Sequence, residues 1–133
     1  MGFDQYHEPP DELPEETRTF ARLCASLTEE AEAIGWYAQR LAVEKDREAR
    51  AVMSNAIGEE YKHFSMDLEF LLRRTPEWRL IAQGVLFQQG DIVTHGDTAE
   101  EEAEEQEGPV APGARPVGGA GSLGIGSLRG EGL

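Results

Sequence analysis

The chain has 133 residues, enough for one small domain, with 12 basic against 26 acidic side chains and a formal charge of −14. Such a charge repels nucleic acid and anionic membranes, so neither is expected as a partner. Its single cysteine, Cys24, excludes an internal disulfide, and no apolar run approaches the roughly 20 residues that span a bilayer. Residues 1–10 have no secretion signal and predict a flexible arm, so the protein is expected in the cytoplasm.

Three helices are predicted within a domain at residues 11–90. The first runs over residues 11–43, with Asp11 as its N-cap, and the second over residues 46–74. Only a few residues connect them, so we expect antiparallel neighbours. A Thr-Pro pair then predicts a short third helix over residues 76–90, which makes the fold class all-α.

The sequence changes character after residue 90. Residues 91–120 are first acidic and then rich in Gly, Pro and Ala, without a helical or strand period, which predicts a disordered linker. Residues 121–133 read GSLGIGSLRGEGL, in which Leu123, Ile125 and Leu128 are isolated apolar side chains. Such anchors in a polar tail are suited to a groove on another protein.

The first helix carries a stripe of apolar residues at alternating steps of three and four. Its members are Phe20, Leu23, Leu27, Ile34 and Leu41. The same rhythm includes Glu30 and Tyr37, so a carboxylate occupies a position that normally takes an apolar side chain. The neighbouring Glu29 and Glu32 fall outside the stripe.

The second helix repeats this anomaly. One stripe comprises Ala49, Val52, Ala56, Glu60, His63, Met66 and Phe70, and a second comprises Ile57, Tyr61, Phe64, Leu68 and Leu71. Glu60 and His63 are one turn apart and share a face. Two apolar faces exceed what a single partner helix covers, so the hairpin is expected to need another subunit.

One inward Glu and one Glu-x-x-His pair are half the ligand set of a di-iron carboxylate bundle, which takes a Glu from each of two helices and Glu-x-x-His from each of the other two. Two chains related by a two-fold axis would supply the whole set in a four-helix bundle. Carboxylates with imidazole accept Fe(II), Mn(II) or Zn(II). The pattern therefore predicts a metal site shared between two subunits.

The segments HEPPDELPEET (7–17), EEAEAIGWYAQR (29–40) and EEYKHFSMDLEFLLRR (59–74) resemble those of the encapsulated ferritins, small ferritin-like proteins carried inside encapsulin shells. The resemblance implies that Glu30, Glu60 and His63 ligate two irons between two subunits, with Glu60 bridging them. It implies that Tyr37 lies beside this centre.

The same resemblance implies that Trp36 lies at the dimer interface and that Glu29 and Glu32 form an outer site through which metal reaches the centre. Members of the family oxidise Fe(II) with oxygen and assemble dimers into a ring, commonly of ten subunits. They lack the closed cage in which ferritins store mineral.

The ending GSLGIGSLRG resembles an encapsulin cargo-loading peptide, in which Leu123, Ile125 and Leu128 would contact the inner wall of the shell. This resemblance implies an encapsulin shell as partner and a location inside that compartment. A linker of about 30 residues has a reach on the order of 30 Å, enough to tether a helical core without contact with the wall.

Two other functions remain open. In a non-catalytic helical adaptor, Glu30 and Glu60 would only set helix register while the tail recruits a partner. In a related carboxylate-bridged enzyme, the same ligands would hold Mn or the site would reduce peroxide, because the ligand types do not choose the metal.

Overall fold

The computed structural model describes residues 6–108, in which every regular element is helical. A 3-10 turn, Pro10–Glu12, precedes the helices α1 (Glu15–Val43), α2 (Arg47–Arg74), α3 (Pro76–Val85) and α4 (Ile92–Glu107). This confirms the all-α class for the described part. None of these four helices is long and apolar enough to cross a membrane. The chain divides between Leu71 and Leu72 into two compact units.

Helix α1 begins later than the sequence pattern predicts. Asp11 lies in the 3-10 turn and does not cap α1, which begins at Glu15 after Pro14. Proline disfavours helical backbone in the residue before it, and Leu13 is accordingly extended, with φ −84° and ψ 130°. The helix therefore starts after Pro14, where Glu15 and Glu16 place negative charge at the positive end of the helix dipole.

A three-residue turn joins α1 to α2. The Glu44 carboxylate accepts hydrogen bonds from the backbone N–H groups of Lys45 and Asp46, both at 2.9 Å. The Asp46 carboxylate accepts one from Ala49 N at 2.8 Å, the pattern of an N-cap. The Arg50 guanidinium donates to the Glu44 carbonyl at 2.9 Å and closes the turn. These bonds confirm Arg47 as the first residue of α2, within one residue of the predicted start.

The hairpin of α1 and α2 covers only part of its apolar surface. Ile57 and Leu71 of the second predicted stripe are buried, whereas Tyr61 of the same stripe is exposed, so this stripe packs only in part within the chain. Several large apolar side chains of the two helices are more than half exposed, namely Trp36, Val43, Val52, Tyr61 and Met66. Val52 and Met66 belong to the stripe that carries Glu60 and His63, which agrees with the expectation of a second apolar face on α2.

Helix α3 begins at Pro76 as predicted but ends at Val85, five residues before the predicted end at Gly90. The backbone leaves the helical region at Leu86, which is extended with φ −69° and ψ 135°. The φ angle is then positive at Phe87, at 62°, and at Gly90, at 101°. A positive φ is incompatible with a continuing right-handed helix. The residues from Leu86 to Gly90 therefore form the turn that leads to α4.

Helix α4 corrects the prediction of a disordered linker over residues 91–120, because Ile92–Glu107 is helical. The Asp91 carboxylate caps it by accepting a hydrogen bond from Thr94 N at 2.7 Å, and this bond lowers the pKa of Asp91. Ala99 and Ala103, one turn apart, are buried. A helix whose buried face is made of alanines has little hydrophobic contrast, so periodicity alone does not reveal it. The rest of the predicted linker, residues 109–120, and the predicted tail at 121–133 lie outside the described residues.

The absence of a side chain at Gly84 sets the distance between α3 and α4. A Cβ added at Gly84 would lie 2.5 Å from the Ala99 Cβ, closer than two carbons that are not bonded to each other approach.

We expect Gly84→Ala to separate the helices and lower the free energy of unfolding by about 1–3 kcal/mol. The matched control is Gly96→Ala in α4, where an added Cβ meets nothing within 4 Å. It should stabilise the chain by about 0.5–1 kcal/mol through helix propensity. Urea unfolding of the full chain measures both, and equal stabilisation by the two substitutions would contradict this packing.

Candidate metal site

Three predicted ligands meet between α1 and α2. Glu30 projects from the middle of α1, while Glu60 and His63 project from one face of α2. Their ligand atoms all lie within 4.8 Å of one another. Within residues 6–108 this is the one group of three or more metal-ligating side chains that is so close together. The three side chains meet because the hairpin is antiparallel. The Arg50 guanidinium donates a hydrogen bond to the Leu41 carbonyl near the turn, so Glu60, further along α2, lies opposite Glu30 on α1.

The spacing of the three side chains suits ligands of a single ion. His63 Nδ1 is 3.9 Å from Glu30 Oε2 and 3.6 Å from Glu60 Oε2, too far for hydrogen bonds. Two ligand atoms that are each about 2.1 Å from an ion stand about 3 Å apart at a right angle and about 4.2 Å apart on opposite sides. Both distances fall between these limits. Three donors complete only half of an octahedral shell, which leaves room for ligands from elsewhere.

Electrostatics also favour a cation between the two carboxylates. A hydrogen bond with Glu60, then partial burial and the negative charge of Glu60, raise the pKa of Glu30 to about 7. His63 opposes this rise, and Asp67 adds to it. In the absence of metal, Glu30 therefore keeps its proton up to about pH 7. A divalent cation would replace that proton and remove the repulsion, so the donor set fits a metal.

Tyr37 and Trp36 flank this cluster on α1. Tyr37 follows Glu30 by two turns on the same face, a rise of about 10 Å. Its ring is covered by the guanidinium of Arg40, whose central carbon lies 5.3 Å from the ring centroid. A role for Tyr37 in the reaction stays a prediction. Trp36 is 53% exposed and lines an open cavity of about 290 Å³ with Gln39 and Arg40, consistent with its predicted place at an interface.

The acidic neighbours of the ligands point away from them. Glu29 and Glu32 are exposed, and their role in an outer metal site stays a prediction. Glu59 is exposed and pairs with Lys62, a hydrogen bond that lowers the pKa of Glu59. Of the remaining histidines, His95 binds the Gln89 carbonyl at 2.6 Å and thereby belongs to the turn before α4.

One acidic residue near the cluster is absent from the sequence analysis. Asp67 is half-buried, and its charge acts on Glu30. It follows His63 by four residues and Glu60 by seven, a spacing that places all three on one face of α2. The helical spacing that indicated Glu60 and His63 also includes Asp67. The apolar stripe continues through Met66 and Phe70, so the stripe did not draw attention to Asp67.

Stability of the metal-free protein should depend on the proton shared by Glu30 and Glu60. Because the pKa of Glu30 rises from 4.5 to about 7 on folding, its stabilising contribution is complete below about pH 4.5 and is lost as the pH rises through 7. We expect Glu30→Gln to reduce the loss of stability between about pH 5 and pH 8. Urea unfolding in the presence of a chelator measures this difference. An unchanged pH dependence in the variant would show that Glu30 titrates normally.

Comparison with known proteins finds ferritin-like relatives. The profile of the EncFtn-like family matches residues 5–89. An encapsulated ferritin-like protein of Rhodospirillum rubrum is 41% identical over 125 residues, which are 94% of this chain and 88% of that protein. A ferritin-like protein of Thermotoga maritima is 43% identical over 84 residues, 63% of this chain and 74% of that protein.

A solved structure agrees with the fold. The crystal structure of protein ne0167 from Nitrosomonas europaea superposes with a TM-score of 0.65 at 38% sequence identity. The match covers 67% of this chain and 98% of that chain. The similarity therefore extends over two thirds of this chain and nearly the whole of the solved protein.

Proposed function

The chain belongs to the EncFtn-like family, and from this premise we propose that it is a ferroxidase carried inside an encapsulin shell. Two copies would join their clusters of Glu30, Glu60 and His63 into one centre that takes Fe(II) as substrate. The observation that supports this proposal most strongly is the three-residue cluster on the hairpin. It has the donor types of a di-iron carboxylate centre and half of their number.

The surface around the cluster favours a second copy as the source of the remaining ligands. Val52 and Met66 lie on the stripe of Glu60 and His63 and are 66% and 59% exposed. Burying such side chains contributes roughly 25 cal/mol for each Å² of apolar surface removed from water. In an isologous contact, each chain presents the same stripe to the other, so the two clusters of Glu30, Glu60 and His63 would meet at the two-fold axis. The assembly of such dimers into a ring, implied by the resemblance to the family, stays a prediction.

The proposed ligands would act mainly by binding cations and by releasing the proton that a cation replaces. Glu60 would bridge two ions, while Glu30 and His63 would bind one ion each. The proton between Glu30 and Glu60 leaves when a cation enters, because both carboxylates must be ionised to ligate. Bound Fe(II) would supply one electron per ion, so two ions reduce one dioxygen, with two protons, to hydrogen peroxide. Partial burial of the carboxylates strengthens their preference for Fe(III), the more highly charged product.

Removing the bridging carboxylate should impair oxidation most. We expect Glu60→Ala to lower the initial rate of Fe(II) oxidation by at least about tenfold, and His63→Ala to lower it less, because that variant loses a terminal ligand. Glu59→Gln is the matched control, since it removes a neighbouring exposed carboxylate paired with Lys62. The appearance of ferric absorbance after aerobic addition of Fe(II) measures the rate. Parental rates in both Glu60→Ala and His63→Ala would place the reaction elsewhere.

Targeting would depend on the C-terminal segment. The Rhodospirillum rubrum relative is described as encapsulated, and its similarity extends over 94% of this chain. The apolar residues Leu123, Ile125 and Leu128 lie far along the chain from the ligands. We propose that these three side chains bind the inner wall of the shell, which makes location separable from catalysis.

Truncation after residue 120 should abolish loading into a co-expressed encapsulin while leaving the oxidation rate and oligomer size unchanged. Residues 121–133 fused to an unrelated soluble protein should carry that protein inside, because a short apolar motif is sufficient for docking in a groove. Co-purification with intact shells measures loading, and substitution of the three apolar residues by serine in the fusion is the control. Efficient loading of the truncated chain would mean that the shell recognises the helical core.

A further inference from the structure

Four large apolar side chains are exposed where α3 leads into α4, within the unit that begins at Leu72. Phe87, in the turn, is fully exposed. Ile92 and Val93, the first two residues of α4, are each more than two thirds exposed, and Leu86, the residue after α3, is also exposed. These four residues lie at one end of the α3–α4 pair and are called the turn patch below.

The turn patch is held in place by its own hydrogen bonds. Phe87 has a φ of 62°, a region that bulky side chains rarely adopt. The Gln88 side chain donates to the Gln83 carbonyl at 3.2 Å, and His95 Nε2 lies 2.6 Å from the Gln89 carbonyl. A strained backbone that its surroundings maintain is typical of binding and switch regions. Here the strained residue is the one that presents an aromatic ring to solvent.

The size of the turn patch favours a short segment over a second copy of the chain. Four such side chains expose a few hundred Å² of apolar surface, whereas each partner in a stable protein–protein interface buries roughly 800 Å². Charge also opposes a second copy, because α4 carries seven acidic residues and no Lys or Arg. A symmetric contact at the patch would bring two such helices together.

Residues 116–128 of the same chain have the composition and the reach to cover the patch. They contain no charged side chain, and their apolar residues include Leu123, Ile125 and Leu128. Helix α4 has 16 residues, so its end lies about 24 Å from its start, where the patch is. Residues 108–123 can span at most about 50 Å, twice that distance. Leu123 can therefore return to the start of α4.

We propose that Leu123, Ile125 and Leu128 bind the turn patch of their own chain when no shell is present. The part of this inference that concerns the shell rests on the proposed function. Covalent attachment gives the segment a local concentration in the millimolar range, so a contact of only about millimolar affinity keeps about half of the segments docked. The shell and the turn patch then compete for the same three side chains.

A photoreactive side chain at the patch identifies what covers it. Phe87→p-benzoylphenylalanine keeps an aromatic ring at position 87 and bonds to a neighbouring C–H group on irradiation. The full chain is irradiated without shell protein, and the products are separated under denaturing conditions and sequenced by mass spectrometry. In the matched control chain, Leu123, Ile125 and Leu128 are replaced by serine.

We expect cross-links within single chains between position 87 and residues 121–128, with at least about threefold less of this product in the serine control. Equal yields from both chains would show that the three apolar side chains do not dock and would overturn the proposal. Cross-links formed mainly to a second chain would overturn it in favour of an interface between copies. Neither outcome depends on the shell, so both leave the proposed function intact.

Loading into reassembling shells measures the competition. Phe87→Asn removes the aromatic ring and suits the backbone, because asparagine adopts a positive φ more readily than most residues. This full-length variant should need about two- to fourfold less protein for half-maximal loading, the gain expected when half to three quarters of the parental segments are docked. Val43→Asn, which removes an exposed apolar side chain at the end of α1, should match the parent.

Equal loading of Phe87→Asn and the parent would overturn the competition between shell and turn patch. Failure of both to load would contradict the proposed targeting instead, and the cross-linking result would still decide whether the segment docks on its own chain.

Discussion

Glu30 and Glu60 lie side by side between two helices, with only 22% and 21% of their side chains exposed. Ionising both carboxylates at this separation costs free energy unless something positive lies between them. In the metal-free chain a hydrogen bond with Glu60, partial burial and the charge of Glu60 raise the pKa of Glu30 to about 7, so Glu30 keeps its proton at lower pH. His63 Nδ1 faces both groups. A cation bound between the two carboxylates would relieve this repulsion. Apolar residues at the same positions would pack better but could not take up a cation.

The proposed assembly follows from the incompleteness of this arrangement. One hairpin offers three donors, whereas iron in an oxygen and nitrogen field takes about six ligands. The same hairpin leaves Trp36, Val52 and Met66 more than half exposed. At one interface, a second copy would supply the missing ligands and cover the exposed apolar side chains. Forming the dimer and forming the metal centre would then be the same event. Metal binding and assembly would then stabilise each other by mass action.

Periodicity was sufficient to predict that Glu30, Glu60 and His63 lie together. Each interrupts an apolar stripe at helical spacing, and the short connection at Glu44–Asp46 requires the helices to face each other. Periodicity did not predict α4, whose buried residues are the small Ala99 and Ala103 and whose approach to α3 depends on Gly84. The start of α1 was wrong because Pro14 overrides the capping preference of Asp11. Asp67 was missed because the apolar stripe of α2 runs through Met66 and Phe70, although the spacing of Asp67 from Glu60 and His63 places it on the same face.

The mass of the protein with and without Fe(II), under anaerobic conditions, tests the dependence of the metal site on dimerisation most directly. Native mass spectrometry resolves both subunit number and bound iron. The account predicts that metal-free monomer gives way to dimers, or larger species of even subunit number, as Fe(II) is added. Iron should appear in these species at about one ion or more per chain and be scarce in residual monomer. Tight iron binding by a chain that remains strictly monomeric would contradict the account.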